Sequence, residues 1–250
     1  MKGGAGEEYD AVEAAAGTTG MNPRGATHTG GGVGGKAAFM SWSGGKDSCH
    51  ALYRASRLGH EVKALLTMLH ESGGFCRSHG TARSLLERQA EALGIPIRFG
   101  SSTWEGYEEA FKLEVSNLKS GGVEAGVFGD IDLQEHRDWV ERVCGELVIT
   151  PLLPLWGGDR AGLAREFVQL GFRAVFISVK KGLLGARWLG REFDRRAITE
   201  LEEAGVDPSG EAGEFHTFVF DGPLFRHPVA LRRGKARERN GYLKLELLPV

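Results

Sequence analysis

The chain has 250 residues, enough for one large or two modest domains, and its apolar content of 41% is ordinary for a folded protein. Lysine and arginine total 31 against 33 acids, so net charge gives no nucleic-acid signal. Three scattered cysteines, Cys49, Cys76 and Cys144, argue against a disulfide framework and for a reducing cytoplasm. No run approaches the roughly 20 apolar residues of a membrane span, and the start lacks the form of a signal peptide.

Residues 1–36 are rich in glycine and alanine with few large apolar groups, too little to offset the entropy of ordering, and read as a disordered extension. Gly30 to Lys36 approaches a Walker A loop, but Ala37 stands where Ser or Thr is needed and no strand precedes it. The first strand is Ala37–Met40. Ser43-Gly44-Gly45-Lys46-Asp47-Ser48 follows and opens a helix running to about Leu58. Strand, glycine turn and helix start make a phosphate cradle. The glycines let the backbone approach an anion, helix-terminal amides point at it, and Ser43, Ser48 and Lys46 add hydroxyls and a charge. The plainer reading is a serine-capped glycine turn.

A second strand, Val62–Leu69, is followed by Ser78-His79-Gly80. A helix from about Thr81 carries Leu85, Leu86, Ala90 and Leu93 at helical spacing and stops at Gly94. Strand Ile95–Phe99, helix Tyr107–Leu118, strand Val123–Phe128, helix Leu133–Cys144 and strand Leu147–Ile149 continue the alternation. That pattern predicts a parallel sheet covered by helices on both faces, with ligands beyond the carboxyl ends of the strands. The hexapeptide, His79 and Gly129-Asp130 all fall at such ends.

From Pro151 the pattern changes. Pro151-Leu152-Leu153-Pro154-Leu155-Trp156 reads as a linker, with Trp156 packing the domain junction. A helix near Arg160–Leu170, strand Ala174–Val179 and a helix from about Gly190 to Ala204 follow. Phe218–Phe220, Val229–Leu231 and Tyr242–Leu247 alternate like antiparallel strands, with Asn240-Gly241 as a turn signal. The expected organisation is a nucleotide-binding domain over 37–150 and a smaller α+β acceptor domain over 151–250. The basic stretch Arg232, Arg233, Lys235, Arg237, Arg239 reads as a solvated hairpin loop. It lacks interleaved stacking aromatics, so nucleic acid is not expected as a partner. Cys76 and His79 have no second pair to complete a zinc site.

Ser43–Ser48 after a strand resembles the PP-loop of the N-type ATP pyrophosphatases, the adenine nucleotide alpha hydrolases with a HUP-like α/β fold. Gly129-Asp130-Ile131, Pro154-Leu155-Trp156, Gly213-Glu214-Phe215-His216-Thr217 and Asp221-Gly222-Pro223 narrow this to the diphthine–ammonia ligase family, over roughly residues 37 to 230. The resemblance implies a ligase that adenylates a carboxylate with ATP, releases pyrophosphate and installs ammonia as an amide. The carboxylate belongs to diphthine on elongation factor 2, and free ammonium is the nitrogen source. Ser43, Gly44, Gly45, Lys46, Asp47, Ser48, His79 and Gly129 would bind ATP. Asp47 would meet Mg2+, with Asp130 as an alternative. Lys46, Asp130, Glu214 and His216 would act in catalysis. If 215–220 is a strand, Glu214 and His216 share a face and can orient an amine or move its proton. Glu211, Thr217 and Asp221 are weaker candidates for the same acceptor site. Two further readings stay open: an ATP pyrophosphatase with another acceptor such as tRNA, and a nucleotide sensor without turnover. A homodimer is expected only because dimers are common.

Overall fold

The computed structural model describes residues 34–250; the expected extension over 1–36 lies almost wholly outside the described residues, as does the first part of the Gly30–Lys36 stretch. Residues 35–250 form one compact unit. Its elements are β1 (Ala37–Ser41), α1 (Lys46–Arg57), β2 (Glu61–His70), α2 (Arg83–Leu93), β3 (Ile97–Ser102), α3 (Tyr107–Ser120), β4 (Ala125–Val127), α4 (Gln134–Leu147) and β5 (Thr150–Leu152). They continue with α5 (Arg160–Gln169), β6 (Arg173–Lys180), α6 (Arg195–Glu203), β7 (Phe215–Asp221), β8 (Leu231–Arg239) and β9 (Tyr242–Pro249).

Five strands make an all-parallel sheet in the order β3-β2-β1-β4-β5. The chain winds outward from β1 through β2 to β3, then returns to β1's other side for β4 and β5. The winding reverses between β1 and β4, and the crevice beyond their carboxyl ends is where such sheets bind ligands. β1 is apolar from Ala37 to Met40 because both of its faces are covered. Ala38 and Met40 join a core with α1, α5 and α6, whereas Phe39 joins a second core with Phe111 of α3 and Val140 of α4.

The remaining strands form an antiparallel sheet, β7-β6-β9-β8. The two sheets share packing. Phe176 and Val179 of β6 and Phe215 and Val219 of β7 belong to the same core as Ala38 and Met40. Helix α2 contributes to both sides: Leu86 and Leu93 to that core, and Leu85 and Ala92 to a third with Ile177, Phe218 and Leu247.

Four sequence expectations move. Leu147–Ile149 is not a strand. Helix α4 runs through Leu147, Val148 caps it in the left-handed region (φ 54°), and Leu147 and Ile149 pack into the second core. The strand lies at Thr150–Leu152 and takes up the first two residues of the supposed linker. Pro151 is tolerated there because β5 is an edge strand paired only with β4. The helix expected from Gly190 begins at Arg195, capped by Asp194, whose Oδ1 accepts from Ala197 N at 2.7 Å. Residues 190–193 instead bond to β6, through Gly190 N to Phe176 O at 2.8 Å and Phe193 N to Ala174 O at 2.8 Å. The basic stretch 232–239 is not a loop but β8, and the turn is only Asn240-Gly241, both at positive φ (49° and 72°). Trp156 is half-buried beneath the Arg137 guanidinium of α4, 5.0 Å from the ring centroid, while its neighbour Leu155 enters the core.

Candidate functional site

The glycine turn lies at the predicted strand end. Its local geometry is built as much by the antiparallel sheet as by its own sequence. Gly44 is at φ +80°, and a Cβ there would lie 2.7 Å from Gln89 Oε1 and 2.8 Å from Leu86 Cδ2. Its carbonyl accepts from Val219 N of β7 at 3.0 Å and from Gln89 Nε2 at 3.0 Å. Gln89 is fully buried in α2. It also donates to Val219 O at 2.6 Å and accepts from Trp42 Nε1 at 3.0 Å, so one amide ties β1's end, the turn and β7 together. Within the turn, Gly45 N donates to Ser43 Oγ at 3.2 Å, Ser48 Oγ donates to Gly45 O at 3.0 Å, and the two hydroxyls are 3.1 Å apart.

Gly45 is the N-cap of α1 and has no side chain to cap with. Thr217 of β7 supplies the missing acceptor: its buried Oγ1 takes the Lys46 N–H at 3.1 Å. The next two amides, of Asp47 and Ser48, make no hydrogen bond among the described residues. They are the orphan donors of a helix start, where the partial positive charge also sits. Gly129 lets the loop after β4 approach this end closely. A side chain there would meet Asp47 C at 2.9 Å and Ser48 N at 3.0 Å.

Lys46 is 5% exposed. Its Nζ donates to both Asp47 oxygens at 2.7 and 2.8 Å and stands 5.6 Å over the Phe215 ring. Glu211 faces this pair. Its Oε1 accepts from Ile131 N at 2.9 Å. Burial, and then the charge of Asp47, push its pKa up to about 7, with Asp130 adding to the rise and Lys46 opposing it. Asp130 Oδ1 lies 3.1 Å from His136 Nδ1, and that contact raises the histidine's pKa. Arg160 braces the two loops that carry these acids. It donates to Asp132 at 2.6 and 2.7 Å and to Asp207 at 2.6 Å, and Asp207 in turn holds Ser209 and the turn leading to Glu211.

His79 lies in the turn after β2, four residues before α2, rather than at a helix start. Its ring stacks on His216 of β7 at 4.4 Å and 30°. Burial and the nearby Lys46 and Lys244 charges lower both histidines, His216 to about 4. Both are therefore neutral near pH 7. Glu214 precedes β7, and its charge neighbours are Asp207 and Arg160, whereas those of His216 are the two lysines. The structure thus brings Ser43 to Ser48, Gly129, Asp130, His79 and His216 around one crevice, and turns the Glu214 carboxylate toward the Arg160 brace. Burial raises the Glu214 pKa, and its Oε2 has no partner among the described residues. Asp221, at the far end of β7, accepts from Gly222 N.

A cleft of about 110 Å³ opens beside the turn, lined by Ser41, Trp42, Ser43, Met68, Ser78 and Tyr107 among others. Sequence reasoning reached Ser43 and Ser78 of this wall but passed over Trp42, Met68 and Tyr107, and over Gln89 as a functional residue. The signal for Gln89 was a polar residue on the buried stripe of a helix.

A parallel α/β sheet with a glycine-turn helix at its switch point, two of whose first amides stay unpaired, defines a nucleotide-binding protein of the phosphate-loop kind. Family models described as the diphthamide synthase N-terminal and C-terminal domains match residues 35–151 and 159–247, and the chain belongs to that family. It is similar to the diphthine–ammonia ligase of Danio rerio, 28% identical over 76% of this chain and 84% of that protein. It also resembles the diphthine–ammonia ligase of Schizosaccharomyces pombe, 29% identical over 82% of this chain but only 38% of that protein. A solved structure described as a predicted subunit of tRNA methyltransferase from Methanocaldococcus jannaschii aligns with a TM-score of 0.42 and 18% identity. It covers 75% of this chain and 98% of that one, a likeness too loose to bear on function. No helix among the described residues is long and apolar enough to cross a membrane.

Proposed function

We propose that this protein is an ATP-dependent amide ligase acting on diphthine of elongation factor 2. A carboxylate oxygen of the acceptor attacks the α-phosphorus of ATP, the bond to the β-phosphate oxygen breaks and pyrophosphate leaves. Ammonia then attacks the acyl carbon and AMP departs, leaving the amide. The reading rests on one observation above all: the Asp47 and Ser48 amides and Lys46 converge, without a protein cap, at the crevice between β1 and β4. It draws further support from the diphthine–ammonia ligases that match most of the chain.

The residues' work is positioning and charge stabilisation. The orphan amides and the Ser43 and Ser48 hydroxyls bind phosphate oxygens. Lys46 stabilises negative charge as pyrophosphate departs. The cleft by Trp42 and Tyr107 takes the nucleoside. Neutral His216 orients the incoming ammonia, whose proton is lost to solvent. Asp47 and Asp130 are the carboxylates suited to magnesium, which takes one or two carboxylates and completes its shell with phosphate and water. No group of three or more ligating side chains poised for a metal occurs among the described residues, in keeping with an ion held mainly by the nucleotide.

The test is incubation with ATP, magnesium, ammonium and elongation factor 2 carrying diphthine. The expected products are AMP, pyrophosphate and a protein whose mass changes by OH to NH2. Formation of ADP, or AMP without amidation of any diphthine, would overturn the assignment.

A further inference from the structure

Strand β9 delivers a lysine to the rim of the crevice that the sequence motifs do not contain. Lys244 sits opposite Ser178 of β6 and Arg237 of β8. Its Nζ is 4.0 Å from the position a Cβ on Gly80 would take, in the turn that carries His79, and 5.7 Å from the centroid of the Tyr242 ring. Tyr242 stacks on His216 at 6.3 Å, and His216 on His79 at 4.4 Å. His79 in turn closes over the glycine turn, its Cε1 2.6 Å from where a Gly45 side chain would begin. A continuous path of rings therefore links Lys244 to the phosphate cradle.

Two features of this cluster call for an anion. Lys244 is half-buried, with no carboxylate partner among the described residues, and its charged neighbour is Arg239. Lys46, by contrast, already holds Asp47. Independently, Nδ1 of His79 is buried with no hydrogen-bond partner. A half-buried cation without a counter-charge and an unpaired ring nitrogen are both costly until a ligand satisfies them.

We propose that Lys244, together with the His79 ring, forms a second anion subsite that receives the terminal phosphates of the nucleotide and holds pyrophosphate as it leaves. This deepens the ligase reading and rests on it. Lys46 serves the end of the phosphate chain nearest the helix, and Lys244 the end nearest the antiparallel sheet. The two lysines then flank the stacked histidines. Lys244 is a binding residue for the departing group, supplied by the C-terminal hairpin rather than by the glycine turn.

The experiment measures binding of inorganic pyrophosphate and of AMP to the full chain by calorimetry, with Lys244→Met, Lys244→Gln and Lys244→Arg compared. Loss of one charge-assisted contact predicts pyrophosphate binding about ten- to hundredfold weaker in Lys244→Met and Lys244→Gln. AMP affinity should hold in both, and Lys244→Arg should restore pyrophosphate binding. The same variants should raise KM for ATP more than they lower kcat. Unaltered thermal unfolding establishes that each variant is folded. Equal pyrophosphate affinity in a folded Lys244→Gln variant and the unsubstituted protein overturns the subsite while leaving AMP formation, and so the ligase reading, intact. ADP as the product from the unsubstituted protein would instead defeat the ligase reading itself.

Discussion

Lys46 is buried against Phe215 and bonded to Asp47, so its charge is held in place before any ligand arrives. Lys46→Ala is expected to lower turnover of ATP by about 10²–10³-fold, the size of one lost preorganised donor, while unfolding is little changed. Steady-state AMP formation and a thermal melt check both halves. Glu211 offers a pH signature. Its carboxyl ordinarily titrates at 4.5 and here at about 7, because burial and the Asp47 charge disfavour the anion. The folded state keeps this proton while the unfolded chain loses it, so stability falls as pH rises from 4.5 to 7 and is level beyond. Glu211→Gln should flatten that slope in denaturant titrations across the range; an unchanged slope would remove Glu211 as its source. The glycine hexapeptide was legible residue by residue because its chemistry is local in sequence. Glu211 surfaced only as a minor candidate, because what makes it unusual is the company of Asp47 and Asp130, more than 80 residues away.

At the scale of elements, the decisive contact is the clasp of β7 and α2 on the glycine turn. Thr217 caps a helix that begins 171 residues earlier, and Gln89 bridges Gly44 and Val219. Thr217→Val should destabilise the protein by about 1 kcal/mol, as loss of an N-cap does. Gln89→Leu leaves two buried carbonyls with fewer donors, and a cost of about 1–3 kcal/mol is expected by denaturant unfolding. Both should also weaken ATP binding; unchanged affinity would separate the clasp from the site. Periodicity revealed α1, α2, α3 and the buried strands β1, β2 and β6, whose apolar runs are long. It failed at Leu147–Ile149, where three apolar residues suit a strand as well as a helix end. It failed again at β8, whose arginines are at home on an exposed edge strand. Asn240-Gly241 marked its hairpin turn, because two consecutive positive-φ residues need that pair.

Across the whole molecule, the break in pattern at Pro151 is a change of sheet rather than a break in the core. Phe176, Phe215 and Val219 pack with Met40 and Leu52 in one cluster, which composition along the chain cannot disclose. A chain truncated after residue 151 would expose that cluster and lose Thr217 and the Val219 bond. It is expected to lack a cooperative thermal transition, whereas the full chain melts in one step; independent melting of the first segment would contradict a shared core. The position at which ATP is cut decides the chemistry. The most direct measurement supplies the acceptor with its diphthine carboxylate labelled with oxygen-18 and examines the nucleotide product by phosphorus NMR or mass spectrometry. An AMP whose phosphate carries one labelled oxygen is the predicted result, since the carboxylate attacks the α-phosphorus held at the helix start. Unlabelled AMP, or label appearing in inorganic phosphate beside ADP, would contradict it.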